Sequence, residues 1–70
     1  MTVKVNDELI LHSKNGKDYL IKIININEYR DPDMKYACDL MVDGVWYTDA
    51  YGDYYFCGDE FIQQCERKGE

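Results

Sequence analysis

The sequence is short of the residues on which most recognisable chemistry depends. One proline, one histidine and one tryptophan occur in 70 residues, and Lys35 is the only base between residues 31 and 60. A single His12 cannot supply a His-Glu-x-x-His zinc pair. Neither a Gly-x-x-x-x-Gly-Lys phosphate loop nor a Gly-x-Ser-x-Gly nucleophile elbow is present. Ser13 adjoins the histidine, but adjacent side chains on a strand point to opposite faces, so the two cannot act together. No apolar run approaches the length of about 18 residues that crosses a bilayer, which sets a membrane partner aside. Cys38, Cys57 and Cys65 are odd in number and contain no Cys-x-x-Cys. Residues 1–8 lack an apolar signal core, so the three thiols are expected to be reduced, small buried hydrophobes in a cytoplasmic protein. These absences leave no catalytic residue, cofactor or metal to nominate, and the expectation is a protein that is not an enzyme.

What the chain does have is charge, unevenly placed. The net charge is −6. Residues 1–30 carry four acids and five bases, residues 31–60 carry eight acids against Lys35, and residues 61–70 balance. An acidic half of this kind argues against direct nucleic-acid binding, which needs cations facing phosphates, and suits a protein partner with a basic surface. The aspartates at 39, 43, 49, 53 and 59 are spaced too widely for a calcium loop, which crowds its ligands at alternate positions. Three of them adjoin a glycine and read as turn residues.

Seventy residues make one domain with a thin core. Its strongest local signal is Asp43-Gly44, set between two alternating runs. A type I′ turn needs positive φ at both central residues, and Asp-Gly supplies them. A strand over 34–42 should therefore pair with one over 45–49, with Val42 opposite Val45 and Leu40 opposite Tyr47 in the core. Met41 opposite Trp46 and Asp39 opposite Thr48 then fall on the other face. Asn15-Gly16 gives a second hairpin between strands 8–12 and 18–26. Taken as a two-residue loop it sets Ile10 opposite Ile21 and His12 opposite Tyr19, with Leu11–Leu20 and Leu9–Lys22 on the other face. Both faces would then carry apolar residues, as in a barrel strand buried on both sides or a sheet that meets a partner. Pro32 places a loop over 27–33, with Asp31 or Asp33 closing a local turn. Residues 54–57 read as a short strand. A helical turn at 59–61, with Asp59 as its N-cap, should precede a closing strand, and the chain should fray from Arg67 onward.

Five or six short strands with turns every 8 to 12 residues indicate a mostly β fold, a small antiparallel barrel with a short C-terminal helical turn. The run from Val5-Asn6-Asp7-Glu8-Leu9-Ile10-Leu11 through Asn15-Gly16-Lys17-Asp18-Tyr19-Leu20-Ile21 resembles the opening hairpin of SH3-like barrels. That likeness covers residues 5–26 and implies a fold, not an activity.

Seven of the ten aromatics fall between Trp46 and Phe61, among the acids. Tyrosine and tryptophan dominate interface hot spots, and spaced carboxylates can imitate a phosphate track. The expected partner-binding residues are Asp39, Met41, Trp46, Asp49, Tyr51, Asp53, Tyr54 and Tyr55. In size, charge and lack of motifs the chain resembles in type the small acidic anti-defence proteins of phages, such as anti-CRISPR proteins, and the resemblance implies an inhibitor of a protein with a nucleic-acid-binding groove. The alternative is an SH3-like adaptor that takes a peptide in a Tyr/Trp groove. A second copy of the chain is also a candidate partner.

Overall fold

The computed structural model describes residues 2–68. These form six strands in one antiparallel sheet: β1 (Glu8–His12), β2 (Asp18–Ile26), β3 (Tyr36–Val42), β4 (Val45–Trp46), β5 (Tyr55–Cys57) and β6 (Cys65–Arg67). Two helices of five residues, α1 (Tyr47–Tyr51) and α2 (Asp59–Gln63), sit between the later strands, and a 3-10 turn spans Pro32–Met34. The ladder runs β4-β3-β2-β1-β6, and β5 pairs with β3 beside β4. The free edge of β3 is therefore shared, with residues 36–38 taken by β5 and residues 41–42 by β4. The last strand returns beside the first, with Leu11 opposite Cys65.

The hairpin at Asp43-Gly44 forms as its chemistry requires. Asp43 has φ 52° and Gly44 has φ 83°, and Met41–Trp46 and Val42–Val45 are register partners. The strand beyond it is shorter than expected. β4 ends at Trp46, and Tyr47–Tyr51 is helical until Gly52 stops it at φ 79°. The reason lies across the turn, on β3. The Asp39 carboxylate accepts from the Thr48 backbone N–H (3.2 Å) and from Thr48 Oγ1 (2.9 Å), supplying a cap that Trp46 cannot. Asp39 and Thr48 do meet, but as cap and helix rather than as strand partners. Val45, expected in the core, is 49% exposed.

The first hairpin is displaced by one residue from the expected pairing. Only Gly16 is left-handed (φ 84°); Asn15 is not. The Gly16 N–H donates to the Ser13 carbonyl (3.1 Å), and Asn15 Oδ1 accepts from the Lys17 N–H (3.0 Å). That is a three-residue loop, a type I turn followed by a left-handed glycine. The partners become Leu9–Ile21, Ile10–Leu20, Leu11–Tyr19 and His12–Asp18. A one-residue slip exchanges the faces. Leu9 and Ile21 now point into the core, while on the outer face Glu8 stands opposite Lys22 and reaches Lys68 (3.5 Å), and His12 meets Asp18 (2.8 Å).

The core gathers Val3, Leu9, Ile21, Ile23, Tyr36, Cys38, Cys57, Ile62 and Cys65, with Leu11, Leu40, Tyr55 and Phe61 packed around it. All three cysteines are free and buried, with Cys38 and Cys57 sulfurs 3.6 Å apart. The helical turn before a closing strand is present, though Gly58 is its N-cap and Asp59 its first residue. Gly58 lies so close to the 3-10 turn that a Cβ there would meet the Pro32 carbonyl oxygen at 2.5 Å. Asp31 closes the local turn by accepting from the Asp33 N–H (3.2 Å). Arg67 is not frayed. It ends β6, donates to Asp7 (2.8 Å) and to the Thr2 carbonyl, and residues 69–70 lie outside the described residues.

Candidate functional site

The eight residues expected to bind a partner fall into three groups. Asp39 is spent on capping α1 and also accepts from the Leu40 N–H (3.0 Å). Tyr55 points inward and stacks edge-on with Tyr47 (6.2 Å) and tilted against Phe61 (5.4 Å), part of the core's rim. Met41 and Trp46 are partners on the outer face, half-buried, and continue a row through Leu20 and Ile10. The remaining four, Asp49, Tyr51, Asp53 and Tyr54, lie together on α1 and the turn after it. Tyr51 is 71% exposed and Tyr54 46%. Among the described residues the carboxylates of Asp49 and Asp53 make no ion pair and no hydrogen bond.

The eight acids of residues 31–60 divide in the same way. Asp31 closes a turn, Asp39 caps a helix, Asp43 meets Lys17 (3.4 Å), and Asp59 holds Tyr36. Asp33, Asp49, Asp53 and Glu60 are left with unengaged carboxylates among the described residues. Neither Asp33 nor Glu60 is among the partner-binding residues expected from sequence, and Asp33 is not the residue that closes the turn at Pro32. The two flank an open cleft of about 300 Å³ along β5, lined also by Tyr55, Phe56, Gly58 and Phe61. The local signal for them was the scarcity of bases nearby; their placement depends on how the 3-10 turn and α2 close around β5.

One polar cluster stands apart from this edge. The Tyr36 hydroxyl donates to Asp59 (2.6 Å), and Lys35 Nζ lies 3.7 Å from Asp59 and 3.8 Å from Glu28. The bond from Tyr36, helped by Lys35, holds the Asp59 carboxyl below its ordinary range. Burial and the Asp59 charge push the Tyr36 phenol up. Every member is engaged, so the cluster ties β3 to α2 and leaves no group over for a substrate. The thiols are equally committed. Contact with Cys57 and burial raise Cys38, and burial pushes Cys65 up to about 11. Among the described residues no group of three or more His, Cys, Asp or Glu is placed to hold a metal ion, and no helix is long and apolar enough to cross a membrane.

Fold and surface together define a small, mostly β antiparallel domain with an acidic, tyrosine-bearing edge. Comparison with protein-family models, with curated proteins and with solved structures gives no match to this chain.

Proposed function

We propose that this chain is a non-enzymatic acidic binding module, an inhibitor that lays its α1 edge into the basic nucleic-acid-binding groove of a partner protein, as anti-CRISPR-like proteins do. The observation that carries the reading is the group Asp49, Tyr51, Asp53 and Tyr54: two unengaged carboxylates beside two exposed phenols on four nearly consecutive residues. Carboxylates without internal partners keep their full charge for an incoming cation, and tyrosines bury large rigid area at small entropic loss. Four other acids of the same half stabilise turns, a cap and a helix start, so the acidic composition alone overstates the surface by a factor of two.

The test is displacement of fluorescein-labelled duplex DNA from RNA-guided nucleases, read by anisotropy. Displacement that rises with the concentration of this chain, weakens steeply with salt and fails for the D49K/D53K variant is expected. Equal displacement by wild type and variant, or none, overturns the reading. The adaptor alternative draws on the row Ile10, Leu20, Met41 and Trp46, which crosses four strands on the outer face. Binding there would change little with salt and would be lost on Trp46→Ala.

A further inference from the structure

β5, like β4 and β6, lies at an edge of the sheet, and its outer side has unused bonding capacity. Val42 and Val45 flank a two-residue turn, so they exchange both hydrogen bonds of their pair. Bonding direction alternates along a strand, and the β-bulge in this sheet lies in β2, where Ile24 is the extra residue, so β3 keeps its alternation. Leu40, Cys38 and Tyr36 therefore face the same edge as Val42. The Lys35 carbonyl, which accepts from the Asn27 N–H on the β2 side (2.9 Å), fits the opposite set. Opposite Cys38 and Tyr36 stand Tyr55 and Cys57, whose backbone groups bond into the sheet. The N–H and C=O of Phe56 consequently point away from it. Among the described residues nothing else pairs with β5, and no turn or loop bond reaches the Phe56 backbone.

An unpaired strand edge is a template for another strand. Here it runs along the cleft whose sides carry the unengaged carboxylates of Asp33 and Glu60. Arg30 sits over the Phe56 ring at 5.2 Å on the outer face, its guanidinium taken up by the Met34 and Lys35 carbonyls and by Asn25. We propose that β5 accepts an extended basic segment of a partner protein as an added strand, with two backbone hydrogen bonds at Phe56 and Lys or Arg side chains meeting Asp33 and Glu60. This rests on the reading of a basic protein partner and adds the manner of contact. Short length, three residues, keeps the edge from self-pairing strongly, and acids at its flanks favour a cation-bearing strand over a second acidic copy of the chain.

The probe is a blocked hexapeptide of alternating lysine and valine, with a glutamate–valine peptide as control, followed by amide NMR and hydrogen exchange. The lysine peptide should shift the Phe56 amide and slow its exchange at least tenfold, and the glutamate peptide should do neither. A 70-residue chain is within reach of total synthesis, so N-methylation of the Phe56 amide can remove the outward donor alone. Pro at an edge position with its N–H outward is likewise tolerated, which makes Phe56→Pro an independent variant. Each should weaken the peptide at least tenfold with a native spectrum elsewhere, and D33K/E60K should do the same by charge. If the lysine peptide leaves the Phe56 amide unchanged while DNA displacement by the α1 edge persists, strand addition is wrong and the inhibitor reading stands. Concentration-dependent protection of Phe56 without peptide would make the occupant a second copy, which also overturns the proposal.

Discussion

At the scale of single residues, His12 is the group whose surroundings make the clearest statement. Its Nδ1 lies 2.8 Å from Asp18 and its Nε2 3.0 Å from Glu66. The bond to Glu66 first, and that to Asp18 second, raise its pKa above the ordinary 6.5. A raised folded-state pKa means stabilisation that is complete below about 6.5 and is lost as pH climbs through the folded value. The melting temperature should therefore fall between pH 6 and pH 8.5, and His12→Gln should flatten that slope. Parallel slopes for the two proteins would show that the carboxylates do not hold the ring. Asp7 and Asp59 act at the other end of the scale. Both carboxyls are lowered, Asp7 by the Lys4 N–H and then Arg67, Asp59 by Tyr36, so their contribution is present above about 3.8 and lost below it.

Among the elements, α1 depends on one side chain outside it. Removing the Asp39 carboxylate frees the Thr48 N–H and hydroxyl together, and Asp39→Ala should destabilise the protein by about 0.5–2 kcal/mol. Asp49→Ala and Asp53→Ala, which break no internal bond, should stay within about 0.5 kcal/mol. Urea denaturation followed by Trp46 fluorescence separates these cases, and equal losses for all three would remove Asp39 from its role as cap. The same helix marks where the sequence stopped being legible. Tyr47 and Thr48 favour a strand locally, and only a carboxylate nine residues back makes them helical. The Asp43-Gly44 hairpin was legible because its turn admits one pairing. Asn15-Gly16 serves two loop lengths equally well, and the register partners Glu8–Lys22 and His12–Asp18 were the signal that selects the longer one. Of the proposed binding surface, the acids and tyrosines of residues 49–54 were readable from composition. The β5 edge was not, because it exists only once β5 docks beside β4 on the same strand.

For the whole molecule, the question is how much a thin core can lose. Leu9, Ile21, Ile23, Ile62 and Cys38 are its largest fully buried side chains. Deleting most of such a side chain removes about 2–5 kcal/mol, against a total of about 5–15 kcal/mol for small proteins. Leu9→Ala should consequently leave a large unfolded fraction at 37 °C. The three buried thiols report it directly. In the wild type, iodoacetamide should label Cys38, Cys57 and Cys65 together and only at the rate of global opening. In Leu9→Ala all three should be labelled many times faster. A single wild-type thiol reacting at the speed of a free cysteine would place it outside the core.

The pairing of β6 with β1 also fixes a timetable. His12 and Glu66 are bonded across 54 positions of chain. A ribosome adding about 5–20 residues per second takes several seconds to cover that interval. Until then β1 has one neighbour instead of two, and Leu9 and Leu11 wait without Ile62 and Cys65 to cover them. The nascent chain must hold its first two hairpins in water, with their inner face bare, while its own lid is still being made. Long-range closure of this sort slows folding well below the speed of locally wired helical proteins. Closure of the core therefore waits on residues 62–67.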